Sequence, residues 1–506
     1  MELQLEKQKR MVYEKVLDRT AEETCSADFV VPDALADVGA LLMTEGSFSL
    51  WKLDFSEKNA DIEGRIHASV CYTEEQTGAI CSFPVELPVK MSVSAETLSP
   101  DVRPFAVCTV SELESQIVNS RKVRTRARLS VHLRAYRAGT MELAGGVACG
   151  EQKIFTNCVP HRFHAPVAVE EKTFTISEEH PFRLSRPEND QLLSHTETVQ
   201  LDEQKIVGSK VILQGKVVST VLYRQAERAI PVTEVFETPF SQMIESGADG
   251  ELSHVRTRVQ LTAAYQEVSS SLGAHGGLQV EYHLVAQTVC LAEVEATCVS
   301  DAYSNAVQLW LAMHEQPVIQ VSLLEPVRAV AEDAVEVAGE GFSVCGSRCA
   351  LHSAAAEDGA VSGSLSVTVL LASADGAISA VHKEVRFSQP IVTDGRVEIA
   401  AVRPEEPYVA MTAGAVSVRI PVTIETFAVQ EQKLRQVSEI TCGEEPTAFD
   451  SLPSLTVVRP DAACSLWELA KRYCSSVETI RAVNGLGDGA EGCEMPQFLL
   501  IPKTRA

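Results

Sequence analysis

The chain has 506 residues, a formal net charge of −25 and 45% apolar residues. That length is too great for one core and points to three or four domains of roughly 100 to 200 residues each, and the acidity excludes a general nucleic-acid binder, which needs a basic surface to neutralise phosphates. No stretch approaches the roughly 18 uninterrupted apolar residues of a membrane span, and Met1–Arg10 carries charges where a signal peptide needs an apolar run, so the chain is expected to remain in the compartment where it is made.

The first strong pattern is Gly64-Arg-Ile-His-Ala-Ser-Val70-Cys-Tyr72. Alternating residues, a polar turn and a second apolar run through Ala79-Ile80 to Val85-x-x-Pro88-Val89 predict a β-hairpin. Proline cannot donate to a ladder, so Pro88 marks a strand edge or end. Downstream, Val123-Arg-Thr-Arg-Ala-Arg-Leu129 is a strand with Val, Thr, Ala and Leu on one face and Arg124, Arg126 and Arg128 on the other. Such a stripe is either a face for an acidic partner or the solvated side of an edge strand. His161-Arg-Phe-His164 has metal-like spacing but no third ligand near it, so packing is the expected role.

The hairpin pattern returns twice. Gly215-Lys-Val-Val-Ser-Thr-Val221-Leu-Tyr223 begins 151 residues after Gly64, and Gly363-Ser-Leu-Ser-Val-Thr-Val369-Leu-Leu371 a further 148 on. Ala229-Ile230 and Ala377-Ile378 follow, with Phe236-x-x-Pro239-Phe240 and Phe387-x-x-Pro390-Ile391 as closures, and Asp375-Gly376 is a hairpin turn signal. Val255-Arg-Thr-Arg-Val-Gln-Leu261 repeats the arginine strand with Arg256 and Arg258, and Ala415 to Glu425 occupies a comparable place. The expectation is a mainly β chain with three tandem sandwich-like or barrel-like units at residues 1–166, 185–302 and 317–440, separated by acidic or proline-bearing stretches. Residues 441–453 read as a linker. A small βααβ domain fills residues 454–506.

In that last domain Leu455-Thr-Val-Val-Arg459 and Phe498-Leu-Leu-Ile501 are strands, each ended by a proline. Ser465-x-x-Glu468 forms a capping box ahead of Leu466, Leu469, Ala470 and Tyr473, and Ser475-x-x-Glu478 is read as a second one. Asn484-Gly485 ends the second helix. Trp467 lies one residue off the buried stripe, so it either covers the edge of the core or anchors a partner.

Chemistry leaves little trace. Gly-x-Ser-x-Gly, His-Glu-x-x-His, P-loop and dinucleotide glycine patterns are all missing from the sequence, so no nucleophile, cofactor site or metal site is assigned and the chain is read as a non-enzyme. His314-Glu315 lacks a second histidine, Gly273-Ala-His-Gly-Gly277 reads as a hairpin loop, and Cys345-x-x-x-Cys349 is an isolated pair among fourteen scattered cysteines that are expected to be reduced.

Ser465-Leu-Trp-Glu-Leu-Ala470, Val477-x-x-Ile480, Asn484 and Leu499-Leu-Ile-Pro502 resemble the LysM family of N-acetylglucosamine-glycan binders. The resemblance places a docking or glycan groove at Asp461, Ala462, Ala463, Cys464, Ser465, Trp467, Asn484 and Leu486. The usual Gly-Asp-Thr/Ser-Leu of the first loop is replaced here by Pro460-Asp-Ala-Ala-Cys-Ser-Leu466. The three hairpin patterns, with phrases such as Ile206-Val-Gly-Ser-Lys-Val-Ile-Leu-Gln-Gly-Lys-Val-Val, resemble SPOCS domains, and SPOCS repeats ending in LysM resemble the SipL type of spore morphogenesis protein. That resemblance implies a scaffold or adaptor in the mother-cell cytoplasm, at the forespore surface, that tethers spore coat proteins and docks a SpoIVA-like basal coat ATPase. Arg124, Arg126, Arg128, Arg256 and Arg258 are candidates for a basic partner face or for self-association. The alternative function is binding of peptidoglycan or chitin-type glycans.

Overall fold

The computed structural model describes residues 4–148, 154–183, 191–225, 230–248, 250–269, 272, 276–337, 341–412, 414–446, 451–460, 465–487 and 496–504. Strand dominates throughout. The first six strands are β1 (Gln4–Val30), β2 (Val38–Ser56), β3 (Asn59–Glu74), β4 (Ile80–Ser94), β5 (Arg103–Asn119) and β6 (Lys122–Ala148), arranged as two antiparallel sheets of order β1-β6-β5 and β2-β3-β4. Period-two alternation explains their packing: Ile62, Ile66 and Val70 of β3 meet Val123, Ala127, Leu129 and Leu133 of β6 in one core, while Arg124 and Arg126 point away.

The next six strands repeat the arrangement. They are β7 (Ile154–Pro181), β8 (Gln191–Val207), β9 (Lys210–Arg224), β10 (Val232–Glu245), β11 (His254–Ser269) and β12 (Gly277–Ser304), with orders β8-β9-β10 and β11-β12-β7. A third set comprises β13 (Val307–Leu323), β14 (Val327–Glu336), β15 (Ser343–Glu357), β16 (Ala360–Ala372), β17 (Ile378–Pro390), β18 (Arg396–Pro404), β19 (Tyr408–Thr412) and β20 (Ala415–Pro446). Here the meander is β15-β16-β17, and β20 lies between β13 with β14 on one side and β18 with β19 on the other. Pro326 and Pro407 fall at the two interruptions, where a residue without an N–H cannot continue the ladder.

Among the described residues no sheet closes on itself. Three-stranded meanders are too narrow to form a barrel, so the barrel-like alternative gives way to open sheets packed face to face. The long strands run past several of the limits expected for the units: β7 past 166, β12 past 302, β13 past 317, and β20 from 441 to 446. His164 of β7 pairs with Ile319 of β13, and its Nδ1 accepts the Val321 N–H at 3.1 Å, which makes β11, β12, β7, β13, β20 and β14 one continuous sheet.

Three glycines fix the meanders. A Cβ on Gly64, Gly215 or Gly363 would strike the carbonyl of Ser49, Gln200 or Ser353 on the neighbouring strand and the ring of Phe48, Phe240 or Phe387. Phe240 and Phe387 each sit directly opposite their glycine. The third closure is therefore displaced from its expected alignment. Pro88 and Pro239 face Arg65 and Lys216, one residue after the glycine, whereas Pro390 faces Ala360, three before it. The residue equivalent to Phe240 is Phe387, not Ile391.

Near its other end each meander carries a β-bulge that turns one side chain outward. The extra residues are Leu42, Leu193 and Cys345, and all three enter a single cluster with Cys71, Leu222 and Leu370. Beside it Arg348 of β15 joins the three meanders. Its Nε lies 3.2 Å from the Glu45 carboxylate of β2, and Nη1 donates to Thr196 Oγ1 at 2.9 Å and the Thr220 carbonyl at 3.1 Å. Both charged side chains are nearly buried. The long strands meet again at the opposite end, where Leu143, Phe163, Val294, Val318 and Leu434 share a core. Gln436 of β20 acts there like an added strand: Oε1 accepts the Ala144 N–H at 2.8 Å and Nε2 donates to the Glu142 carbonyl at 2.7 Å.

Candidate docking site

The C-terminal module consists of β21 (Leu455–Val458), α1 (Leu466–Arg472), α2 (Val477–Asn484) and β22 (Leu499–Pro502), with β21 and β22 paired antiparallel. Ser465 caps α1 in a full capping box, its Oγ accepting the Glu468 N–H while Glu468 accepts the Ser465 N–H. The second cap is Ser476, not Ser475. Ser476 Oγ accepts the Thr479 N–H at 3.1 Å, whereas Ser475 is fully buried and donates to the Pro502 carbonyl at 2.6 Å. Gly485 ends α2 at φ +62°, a left-handed conformation that glycine adopts without strain.

This module is fastened to the body through the end of β12. Trp467 Nε1 donates to Asp301 Oδ2 at 2.8 Å, and Lys471 Nζ reaches both Asp301 oxygens at 2.7 and 2.8 Å. Tyr303 enters the module's own core with Leu466, Leu469, Ile480, Leu499 and Ile501. Its ring stacks on Phe155 and meets the Trp467 edge, both at 4.9 Å between centroids, and its hydroxyl donates to the Ser475 carbonyl at 2.9 Å. Burial pushes the Tyr303 phenol well above its ordinary pKa, keeping it a neutral donor. Asn305 Nδ2 donates to the Thr504 carbonyl at 2.8 Å.

Of the proposed groove residues, Asp461, Ala462, Ala463 and Cys464 lie outside the described residues. The others make internal contacts. Ser465 caps, Trp467 faces Asp301 and Tyr303, and Leu486 packs on the module core. Asn484 clamps α2 to β22: Nδ2 donates to the Ile480 and Leu500 carbonyls at 2.8 and 2.7 Å, and Oδ1 accepts the Leu500 N–H at 2.8 Å. What remains open is the outer face of the strand pair. Leu455, Val457 and Leu500 are exposed there, with Phe498 exposed just before β22 and Val457 as much as 59% exposed.

The arginine stripes are mostly answered within the chain. β6 is a central strand, and on it Arg124 donates to both oxygens of Asp28, at 2.6 and 3.3 Å, with Lys122 2.8 Å from the same carboxylate. The hydrogen bonds from Arg124, then Lys122, hold Asp28 well below the usual carboxylate range. Arg128 pairs with Glu112 at 2.9 Å, and Arg126 is exposed opposite Glu114. On the edge strand β11, Arg256 is engaged by Glu398 of β18 at 2.5 Å and lies over the Phe427 ring, while Arg258 is exposed.

Among the described residues no group of three or more His, Cys, Asp or Glu side chains is placed to hold a metal, and no helix is long and apolar enough to cross a membrane. The eleven described cysteines are free, and burial raises the thiols of Cys345 and Cys349 to about 11 and about 12. Gly273, Ala274 and His275 lie outside the described residues. Sequence reading missed Asp301, Tyr303 and Asn305. Asp301 and Tyr303 alternate onto one face at the end of β12 and Asn305 follows in the bend beyond it, at the limit expected for the second unit. No protein-family model, curated protein or solved structure matches the chain.

Proposed function

We propose that the chain is a non-enzymatic scaffold of endospore coat assembly, of the SipL type, in which three SPOCS-like sandwiches form the body and a LysM-like module supplies the docking end. Its place is the mother-cell cytoplasm at the forespore surface, and its partner is a SpoIVA-like basal coat ATPase. The supporting observation is the division of labour on the C-terminal module: the Trp467 and Lys471 side is fastened to Asp301, while Leu455, Val457, Phe498 and Leu500 remain exposed as one apolar patch. Contiguous exposed apolar surface of this kind marks protein interfaces. Asn484, a candidate groove residue, spends its amide on backbone groups, which favours protein docking over the glycan-binding alternative.

The mechanism is tethering. A body whose units share cores holds several coat-facing surfaces in fixed relation to one docking end, so linked modest contacts give high effective concentration. The test is co-purification of the full chain with the basal coat ATPase, comparing wild type with Val457→Glu. Retention by wild type and at least about tenfold loss in the variant is expected, since a charge at the centre of an interface costs several kcal/mol. Undiminished capture by V457E, or retention on purified peptidoglycan in place of the ATPase, would reject the reading.

A further inference from the structure

Between the first meander and the sheet edge at β11 lies an open cleft of about 910 Å³, at the upper end of the range for ligand sites. Two sheet faces form its walls. On one, Ser47, His67 and Glu86 stand in a row across β2, β3 and β4; on the other, Tyr265, Glu281 and Ser177 stand in a row across β11, β12 and β7. Trp51 is the extra residue of a bulge in β2, which turns its ring out onto the rim. It is 59% exposed and Tyr265 is 60% exposed, one on each wall. The Arg65 guanidinium lies 4.7 Å from the centre of the Trp51 ring and is tied to Glu86, so one face of the indole is left open.

Among the described residues Glu45, Glu86, Glu267 and Glu281 line the cleft, and no lysine or arginine does. Glu45 is held by Arg348 and Glu86 by Arg65, and Glu281 lies 2.7 Å from His283, so Glu267 and Glu281 carry the charge open to a cationic ligand. In its floor Gln266 donates to Glu197, while its Oε1 is buried without a hydrogen-bond partner, an acceptor that burial makes costly to leave unmet. We propose that this cleft binds an extended peptide segment bearing arginine or lysine at alternate positions. Guanidinium groups stack on open aromatic faces and pair with carboxylates. The two edge strands β2 and β11 run beside the cleft and suit an extended chain, whose alternate side chains reach opposite walls. A neutral glycan would also stack on the aromatic rims and donate hydroxyl hydrogen bonds to the carboxylates, but it brings no charge to pair with them. The site is separate from the C-terminal module and stands without the docking reading above.

The test uses the full chain and a fluorescein-labelled hexapeptide of alternating arginine and serine, read by fluorescence anisotropy at about 0.15 M salt to suppress long-range attraction. A glutamate-for-arginine peptide and chitohexaose serve as comparison probes. Trp51→Ala, Tyr265→Ala and the double variant Glu267→Gln/Glu281→Gln should each weaken the arginine peptide by about fivefold or more, with melting temperature unchanged because these side chains are exposed. Glu431→Gln, a remote exposed carboxylate on β20, should leave it unchanged. Equal weakening by E431Q would reduce the binding to general acidity and overturn the proposal. So would indifference to W51A and Y265A, or Trp51-dependent binding of chitohexaose in place of the peptide.

Discussion

Trp467 donates its indole N–H to Asp301, 166 positions upstream, at 2.8 Å. One carboxylate thus receives both the indole and the Lys471 ammonium, and the terminal module is seated on the end of β12 by a contact that neither segment announces alone. Asp301→Ala removes both partners at once. The module should loosen by about 1–3 kcal/mol, seen as faster amide exchange in α1 and β22 with exchange in β6 unchanged. Asp301→Asn keeps an acceptor for the indole and should fall between. Unchanged exchange in D301A would show that Tyr303 and Asn305 suffice.

Glycine at 215 is a packing requirement. Gly215→Ala places a methyl against the Gln200 carbonyl and the Phe240 ring and should destabilise by about 1–3 kcal/mol, as overpacking does. Gly208 provides the contrast: it has φ +62° and open space around it, so Gly208→Ala pays only the left-handed penalty of about 1–2 kcal/mol. Denaturant titration of the two variants separates the causes, and the Gly215 effect should not be relieved by Phe240→Leu, since the carbonyl clash persists.

Arg348 of β15 is the point where the three meanders meet, contacting Glu45 of β2, Thr196 of β8 and Thr220 of β9. Arg348→Met leaves the Glu45 carboxylate buried without its charge partner, a loss of about 3–5 kcal/mol for a broken buried pair. The double variant Glu45→Met/Arg348→Met should recover much of it, because the uncompensated charge is gone. The shared cores also predict that wild type melts in one calorimetric transition, with R348M splitting it.

Acidification should weaken the seam between β7 and β13. Burial, and then the neighbouring His254, depress the pKa of His164, whose Nδ1 accepts the Val321 N–H. A depressed folded value means that the stability is present above the ordinary value of 6.5 and is lost as pH falls through the folded one. His195 works in the opposite sense: burial opposes its charge, but Glu197 outweighs this and raises the pKa, so its contribution is present below 6.5 and fades as pH rises. Melting temperature followed between pH 7.5 and 5 should fall on the acid side, and His164→Gln, which keeps an acceptor, should flatten that fall.

Local pattern carried the strands and the module. Alternation at Val123 to Leu129 assigned the core face of β6 correctly, because period two leaves no other arrangement once one face is buried. Gly64, Gly215 and Gly363 stood out because each has no room for a side chain. The bulges at Leu42, Leu193 and Cys345 were illegible, since an extra residue in a ladder is defined by its partner strand. Ser475 and Ser476 both precede a residue able to close a cap three places on, and only the burial of Ser475 decides between them. Asp301 with Trp467, and Glu45 with Arg348, are pairings made by tertiary structure across more than a hundred residues.

The most direct measurement of the central claim follows a fluorescent fusion of the full chain in an endospore-forming bacterium during engulfment. A ring at the forespore surface that requires the basal coat ATPase, and that turns diffuse with Val457→Glu, is the predicted result. Uniform mother-cell fluorescence with wild type, or a ring indifferent to both the ATPase and Val457, would contradict it.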